Sequence, residues 1–115
     1  MTWNATLDNT LATGFINTGT KPCDAVITIT TLESYYNLTL YLVETGQYLK
    51  IENSGDEGDV IEINMQARQI LCNSENIENK LTLTSQWFLL PVGQCLLDLV
   101  GGAAGVKVEY RRRWV

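Results

Sequence analysis

The sequence predicts an all-β fold, an antiparallel two-sheet β-sandwich. Three observations carry that prediction. At least seven segments alternate apolar and polar residues with period two, the mark of a strand with one buried and one wet face. Turn signals separate those segments at short intervals. No window shows convincing helical spacing, while thirteen Thr and five Tyr suit the solvated faces of strands.

In chain order, residues 1–13 form an N-terminal arm, a first strand or a link to an upstream segment, and residues 14–115 form the sandwich domain. Thr18-Gly19 and Lys21-Pro22 make the first turn. Ile27 and Ile29 then face one way and Thr28 and Thr30 the other. Leu38, Leu40 and Leu42 oppose Asn37, Thr39 and Tyr41. After Gly46, Leu49 and Ile51 flank Lys50. The polar loop Ser54-Gly55-Asp56-Glu57-Gly58-Asp59 leads to Ile61, Ile63 and Met65, which oppose Glu62 and Asn64. Beyond the Asn73-Ser74-Glu75-Asn76 turn, Leu81 and Leu83 oppose Thr82 and Thr84. Trp87-Phe88-Leu89-Leu90 reads as buried, and Pro91-Val92-Gly93 turns the chain. Leu97 and Leu99 flank Asp98. The glycine-rich turn Gly101–Gly105 precedes Val106, Val108 and Tyr110, which oppose Lys107, Glu109 and Arg111. The expected interior is Ile27, Ile29, Leu38, Leu40, Leu42, Ile61, Ile63, Leu81, Leu83, Leu97, Leu99, Val106 and Val108.

Composition supports a folded chain and narrows its function. The length of 115 residues suits one domain able to bury a core. Leu, Ile, Val and Phe number 33, well above the share at which chains stay disordered. With no His, Ser-His-Asp catalysis, Cys-His catalysis and His metal ligation are excluded. No apolar run reaches the length of a transmembrane helix, and the first residues lack the regions of a signal peptide. The net charge is -5. Residues 1–109 carry thirteen acids against five bases, whereas Arg111, Arg112 and Arg113 make the C-terminus basic. An acidic body argues against a nucleic-acid platform. Cys23, Cys72 and Cys95 are odd in number and widely spaced. They read as small buried hydrophobes in a reducing compartment, with one disulfide plus a free thiol as the alternative.

Candidate sites are few. Residues 52–59 concentrate acid and glycine, as calcium requires, but the spacing departs from an EF-hand, and a solvated loop explains it. No metal and no cofactor is expected. The arginine run splits across the faces of a strand, which favours ion pairs or subunit contacts over phosphate binding. Aromatic side chains offer stacking faces for a sugar, though core packing explains most of them. Two sequons, Asn4-Ala5-Thr6 and Asn37-Leu38-Thr39, fit chance in a chain rich in Asn and Thr. No spacing pairs an acid with a base or nucleophile, so no enzyme is expected. Tyr35, Tyr36, Arg111, Arg113 and Trp114 remain as candidate ligand or partner contacts.

The C-terminal third carries a resemblance. Ser85-Gln86-Trp87-Phe88-Leu89-Leu90-Pro91-Val92-Gly93-Gln94 precedes a strand, and the chain closes Val106-Lys107-Val108-Glu109-Tyr110-Arg111-Arg112-Arg113-Trp114-Val115. This resembles the end of siphophage distal tail proteins, with their "phe-x-leu-x-pro-gly-x-asn" turn and closing tyr-arg-x-arg-trp. Upstream, Asn17-Thr18-Gly19-Thr20-Lys21-Pro22 followed by Val26-Ile27-Thr28-Ile29 resembles the family's "asn-pro-gly-thr" entry and next strand. Val60-Ile61-Glu62-Ile63-Asn64 with Gln69-Ile70 resembles its "ile-asp" and "arg-x-val" strand pair. The similarity covers about residues 14–115, in order. Val92 is an insertion between Pro91 and Gly93, and Cys95 and Thr18 stand where the family usually has Asn and Pro.

The resemblance implies a galectin-like jelly-roll sandwich, the C-terminal domain of a protein whose N-terminal belt domain forms a hexameric ring. That ring joins tail tube to baseplate hub. The chain is too short for the belt domain, so it is expected to be an excised domain or a small stand-alone tail or baseplate protein. The implied role is a structural virion component of the tail tip, made in the bacterial host cytoplasm. It would act as an adaptor through contacts with other tail or baseplate proteins. In isolation the chain is expected to be mainly monomeric, because nothing in the sequence reads as a large exposed apolar patch. The alternative is a carbohydrate-binding module for host-cell adhesion, with a host glycan as ligand. The galectin sugar site needs a His-Asn-Arg constellation, and with no His it does not carry over.

Overall fold

Apolar residues at alternate positions put one face of each strand inside, and the computed structural model, which describes residues 1–8 and 11–111, shows two sheets built on that rule. The strands are β1 (Thr2–Leu7), β2 (Thr13–Asn17), β3 (Ala25–Thr31), β4 (Tyr35–Tyr36), β5 (Thr39–Leu42) and β6 (Gln47–Lys50). They continue with β7 (Ser54–Gly55), β8 (Val60–Asn64), β9 (Gln69–Cys72), β10 (Glu75–Asn76), β11 (Gly93–Val100) and β12 (Ala104–Tyr110). One sheet has the order β1-β12-β3-β8-β9-β10 and the other β2-β11-β5-β6, while β4 and β7 form a short ribbon. Every strand pairing is antiparallel. The fold is an all-β sandwich.

Register turns the alternation into rows across each sheet. Val108, Ile27, Ile63 and Ile70 are successive cross-strand partners, as are Val106, Ile29 and Ile61. In the second sheet Leu99, Leu40 and Leu49 form the equivalent row. All are buried. Each such side chain contributes roughly 1.5–3 kcal/mol of transfer free energy, and a slip of one residue would turn the whole row to water. Aromatic contacts join the layers at one side. Phe15 on β2 lies 5.3 Å from Trp3 on β1 and 4.9 Å from Tyr110 on β12, between ring centroids.

Two expectations fail between residues 77 and 90. Leu81 and Leu83 do not sit on a strand. A 3-10 helix at Glu78–Lys80 precedes them, Leu81 bridges Ile51 and is half-buried, and Leu83 is fully exposed. The cause is local hydrogen bonding. Ser85 Oγ accepts the Lys50 amide at 2.8 Å, Thr82 Oγ1 and Ser85 Oγ lie 2.8 Å apart, and the Gln86 amide donates to the Tyr48 carbonyl. The segment thus bends along the outer edge of β6 and throws Leu83 outward. The run Trp87–Leu90 is only partly buried: Phe88 and Leu90 are inside, Trp87 is half-buried and Leu89 exposed. Thr39, placed outward by alternation with its leucine neighbours, is also buried.

Candidate functional site

The loop end that holds Tyr35 is built by glycine. Gly101, at φ +111°, brings its Cα against the chain so closely that an added Cβ would lie 2.7 Å from the Tyr36 carbonyl oxygen. The Tyr36 amide donates to the Gly101 carbonyl at 3.1 Å. On the two-residue β4, side chains alternate, so Tyr35 points in and Tyr36 out. Tyr35 is 5% exposed and Tyr36 71%. The two rings therefore form no shared stacking face.

Tyr35 is the centre of a polar network. Its hydroxyl donates to Asp59 Oδ2 at 2.8 Å and accepts Asn53 Nδ2 at 3.5 Å. Asn73 Nδ2 donates to Asp59 Oδ1 at 3.1 Å. Burial, then the bond to Asp59, pushes the Tyr35 phenol far above its ordinary value and keeps it neutral. The donors from Asn73 and Tyr35 hold the Asp59 carboxyl below its ordinary value. Gly55 makes room for the pair, since a Cβ there would lie 2.2 Å from Asp59 Oδ2 and 2.7 Å from the Tyr35 hydroxyl. Thr31 Oγ1 donates to the Asp56 carbonyl at 2.8 Å and accepts the Asp59 amide at 2.9 Å. The acidic stretch 52–59 is thereby pinned to β3 and β4, with Asp59 turned toward protein donors. Among the described residues no group of three or more His, Cys, Asp or Glu is placed to hold a metal ion.

Arg111 is exposed immediately after β12. The glycine turn against Tyr36 precedes β12, so Tyr36 and Arg111 lie at opposite ends of a seven-residue strand, roughly 20 Å apart. They cannot contact one small ligand together. Arg113 and Trp114 lie outside the described residues.

A feature of the other end was not legible in the sequence. Four separate loops enclose an open groove of about 600 Å³ lined by Pro22, Asp24, Met65, Arg68, Trp87 and Pro91, among others. Trp87 presents only part of its ring there, and Asp24 and Arg68 bring opposite charges to the rim. Pro22, Trp87 and Pro91 occur in segments singled out above, but their meeting depends on the tertiary path. Asn17 holds two of those segments together. Its Nδ2 donates to the Pro91 carbonyl at 3.2 Å and the Leu90 carbonyl at 3.4 Å, and its Oδ1 accepts the Gly19 amide at 3.1 Å. Cys23 and Leu90 exchange backbone bonds at 3.1 and 2.8 Å beside it. Cys23, Cys72 and Cys95 are all free thiols. Burial, then the Glu44 carboxylate, pushes the Cys95 thiol up to about 11.

Residues 18–114 match the family model of the siphovirus-type tail component, C-terminal domain. Among solved structures, the fold is similar to the crystal structure of SPP1 Dit (gp 19.1), presented as a paradigm of the hub adsorption apparatus in Gram-positive infecting phages. The TM-score is 0.76 at 16% identity, and the match covers 96% of this chain and 47% of that one. This chain thus spans about half the length of that solved relative. No curated protein matches in sequence.

Proposed function

Because the chain belongs to the family of siphovirus-type tail component C-terminal domains, we propose that it is an adaptor module of the tail tip, holding its place by contacts with other tail or baseplate proteins. The family match over residues 18–114 carries this reading. The groove supports it as a contact surface, since it combines apolar side chains with charges of both signs rather than converging on one reacting atom. We read the domain as non-catalytic. The hydrogen-bonded pair Tyr35 and Asp59 is committed to Asn53 and Asn73 and serves to anchor a loop. A glycan-binding role is not favoured, because Tyr35 is buried and Tyr36 stands alone without the His-dependent galectin constellation.

The test is placement in the particle. Virions carrying an epitope tag at the exposed Glu57–Gly58 turn should bind gold-labelled antibody at the distal end of the tail. Label along the tube, or none on intact particles whose tagged protein is folded, would overturn the assignment.

A further inference from the structure

The two sides of the sandwich treat their sheet edges differently. On one side the edges are guarded. The outer edge of β6 is covered by residues 82–86, and β10 is only two residues long with Glu75 and Asn76 exposed. Short, charged or covered edges are how sandwiches avoid pairing with other chains. The opposite side carries β1 with no such protection. Thr2-Trp3-Asn4-Ala5-Thr6-Leu7 contains no charge, no proline and no glycine. Among the described residues no strand pairs its outer edge.

The register says which groups are left over. Met1 and Tyr110 exchange both backbone bonds, at 2.8 and 3.0 Å, so this is a hydrogen-bonded pair. By alternation Trp3, Ala5 and Leu7 also direct their amides and carbonyls at β12. The amides and carbonyls of Thr2, Asn4 and Thr6 then point away from the sheet, and all three residues are exposed.

From this edge we propose that β1 pairs with β1 of a second copy of this chain, antiparallel about a two-fold axis at Asn4, joining two six-stranded sheets into one. The strand is self-complementary in that register. Asn4 meets Asn4, Thr2 meets Thr6, and Trp3 lies against Ala5 of the second copy, a large ring against a methyl. All three outward-facing residues then both donate and accept a backbone bond. A shift of two residues either way takes Thr2 or Thr6 out of the strand pair. Thr–Thr pairs are favourable cross-strand neighbours, and no like charges meet.

Charge favours this side of the sandwich, where both edge strands, β1 and β2, are uncharged. A body of net charge -5 repels its own copy, so self-association needs a neutral patch. β1 is uncharged, and behind it Lys107 and Glu109 on β12 neutralise each other at 3.3 Å. The half-buried Trp3 ring supplies apolar area that the second copy covers. Exposed Leu11 and Ile16, on the connection to β2 and on β2 itself, lie on this side too. One strand pair is a small interface, so the dimer belongs to the weak, concentration-dependent class. The pairing is a property of this domain and does not rest on its place in a tail.

Sedimentation of the 115-residue chain from micromolar to millimolar protein tests it. The chain should pass from monomer to dimer. Asn4→Lys places two ammonium groups at the axis and should weaken dimerisation by at least about tenfold; the side chain is exposed, so the monomer should stay folded, its melting temperature lowered only by the new like-charge pair with Lys107. Asn4→Asp should weaken dimerisation likewise. An equimolar mixture of the two variants should regain the dimer as a heterodimer, since only this register puts position 4 against itself. A wild-type chain that stays monomeric at millimolar concentration overturns the proposal. So does an Asn4→Lys chain that dimerises as well as wild type, or a mixture that does not regain the dimer.

Discussion

Asn17 shows how one buried amide can hold a fold at a point where the strands do not. Its bonds to the Leu90 and Pro91 carbonyls tie the turn after β2 to the turn before β11. Asn17→Ala should therefore lower stability by about 1–2 kcal/mol, because the half-buried Pro91 carbonyl loses a donor and the Leu90 carbonyl keeps only the Cys23 amide; a change below about 0.5 kcal/mol in urea unfolding would show that water replaces the amide. The Tyr35–Asp59 pair makes a pH prediction with a definite sign. Asp59 titrates below its ordinary value of 3.8 when folded, so its stabilisation is present above that value and is lost as pH falls through the lower folded value. Asp59→Asn should flatten the acid limb of stability against pH. Tyr35 titrates above its ordinary value of 10.0, so its contribution is intact below that and declines as pH rises further. Tyr35→Phe should flatten the alkaline limb, and a urea midpoint series across both limits checks the two together. The thiols divide by burial: Cys72, half-buried, should react with a thiol reagent in the native protein while Cys23 and Cys95 wait for unfolding. Equal native rates for all three would contradict the burial order.

Most strands that pair on both edges are legible from alternation alone, although β9 is not. β3, β8, β11 and β12 each have apolar residues at every second position, and each lies inside a sheet with those residues buried. The same pattern at Leu81 and Leu83 led nowhere. Alternation reports a strand only where a partner edge is there to accept its backbone, and here Ser85 and Thr82 cap β6 instead. Substitution separates the two cases. Leu40→Ala and Ile63→Ala should each cost roughly 2–5 kcal/mol, whereas Leu83→Ala should stay within about 0.5 kcal/mol. A large loss at Leu83 in thermal or urea unfolding would restore the strand reading. Gly101→Ala joins the costly class for a different reason, since it combines φ +111° with a 2.7 Å approach to the Tyr36 carbonyl.

Across the whole molecule, sequence-distant strands do the closing. β1 pairs with β12, and β2 with β11, so the first and last quarters of the chain form the same side of the sandwich. Such non-local pairing predicts slow folding, in milliseconds to seconds rather than microseconds, which stopped-flow refolding measures directly. Submillisecond refolding would imply that the two ends are brought together early by contacts the native structure does not contain. The same topology sets the surfaces that the domain offers. It has a guarded side, an unguarded edge at β1, and two loop ends, and none of these is visible in a local window.

Alternation, turn residues and the missing His were enough to establish an all-β sandwich and to remove His-dependent chemistry, because both depend on residue identity and nearest neighbours. The motifs that resembled distal tail proteins were readable for the same reason, although Asn17-Thr18-Gly19 and Phe88-Leu89-Leu90-Pro91 gave no hint that they bond to each other. Which faces are wet near chain reversals was not readable. Sequence alone puts Tyr35 with Tyr36 as a surface contact, and the fold buries it because its hydroxyl donates to Asp59, 24 residues away, and accepts from Asn53. The groove at Pro22, Met65, Arg68 and Trp87 and the open edge of β1 likewise come from the tertiary path alone. Backbone bonding between strands is satisfied by whichever segment arrives alongside, and that choice is made by packing over the whole chain.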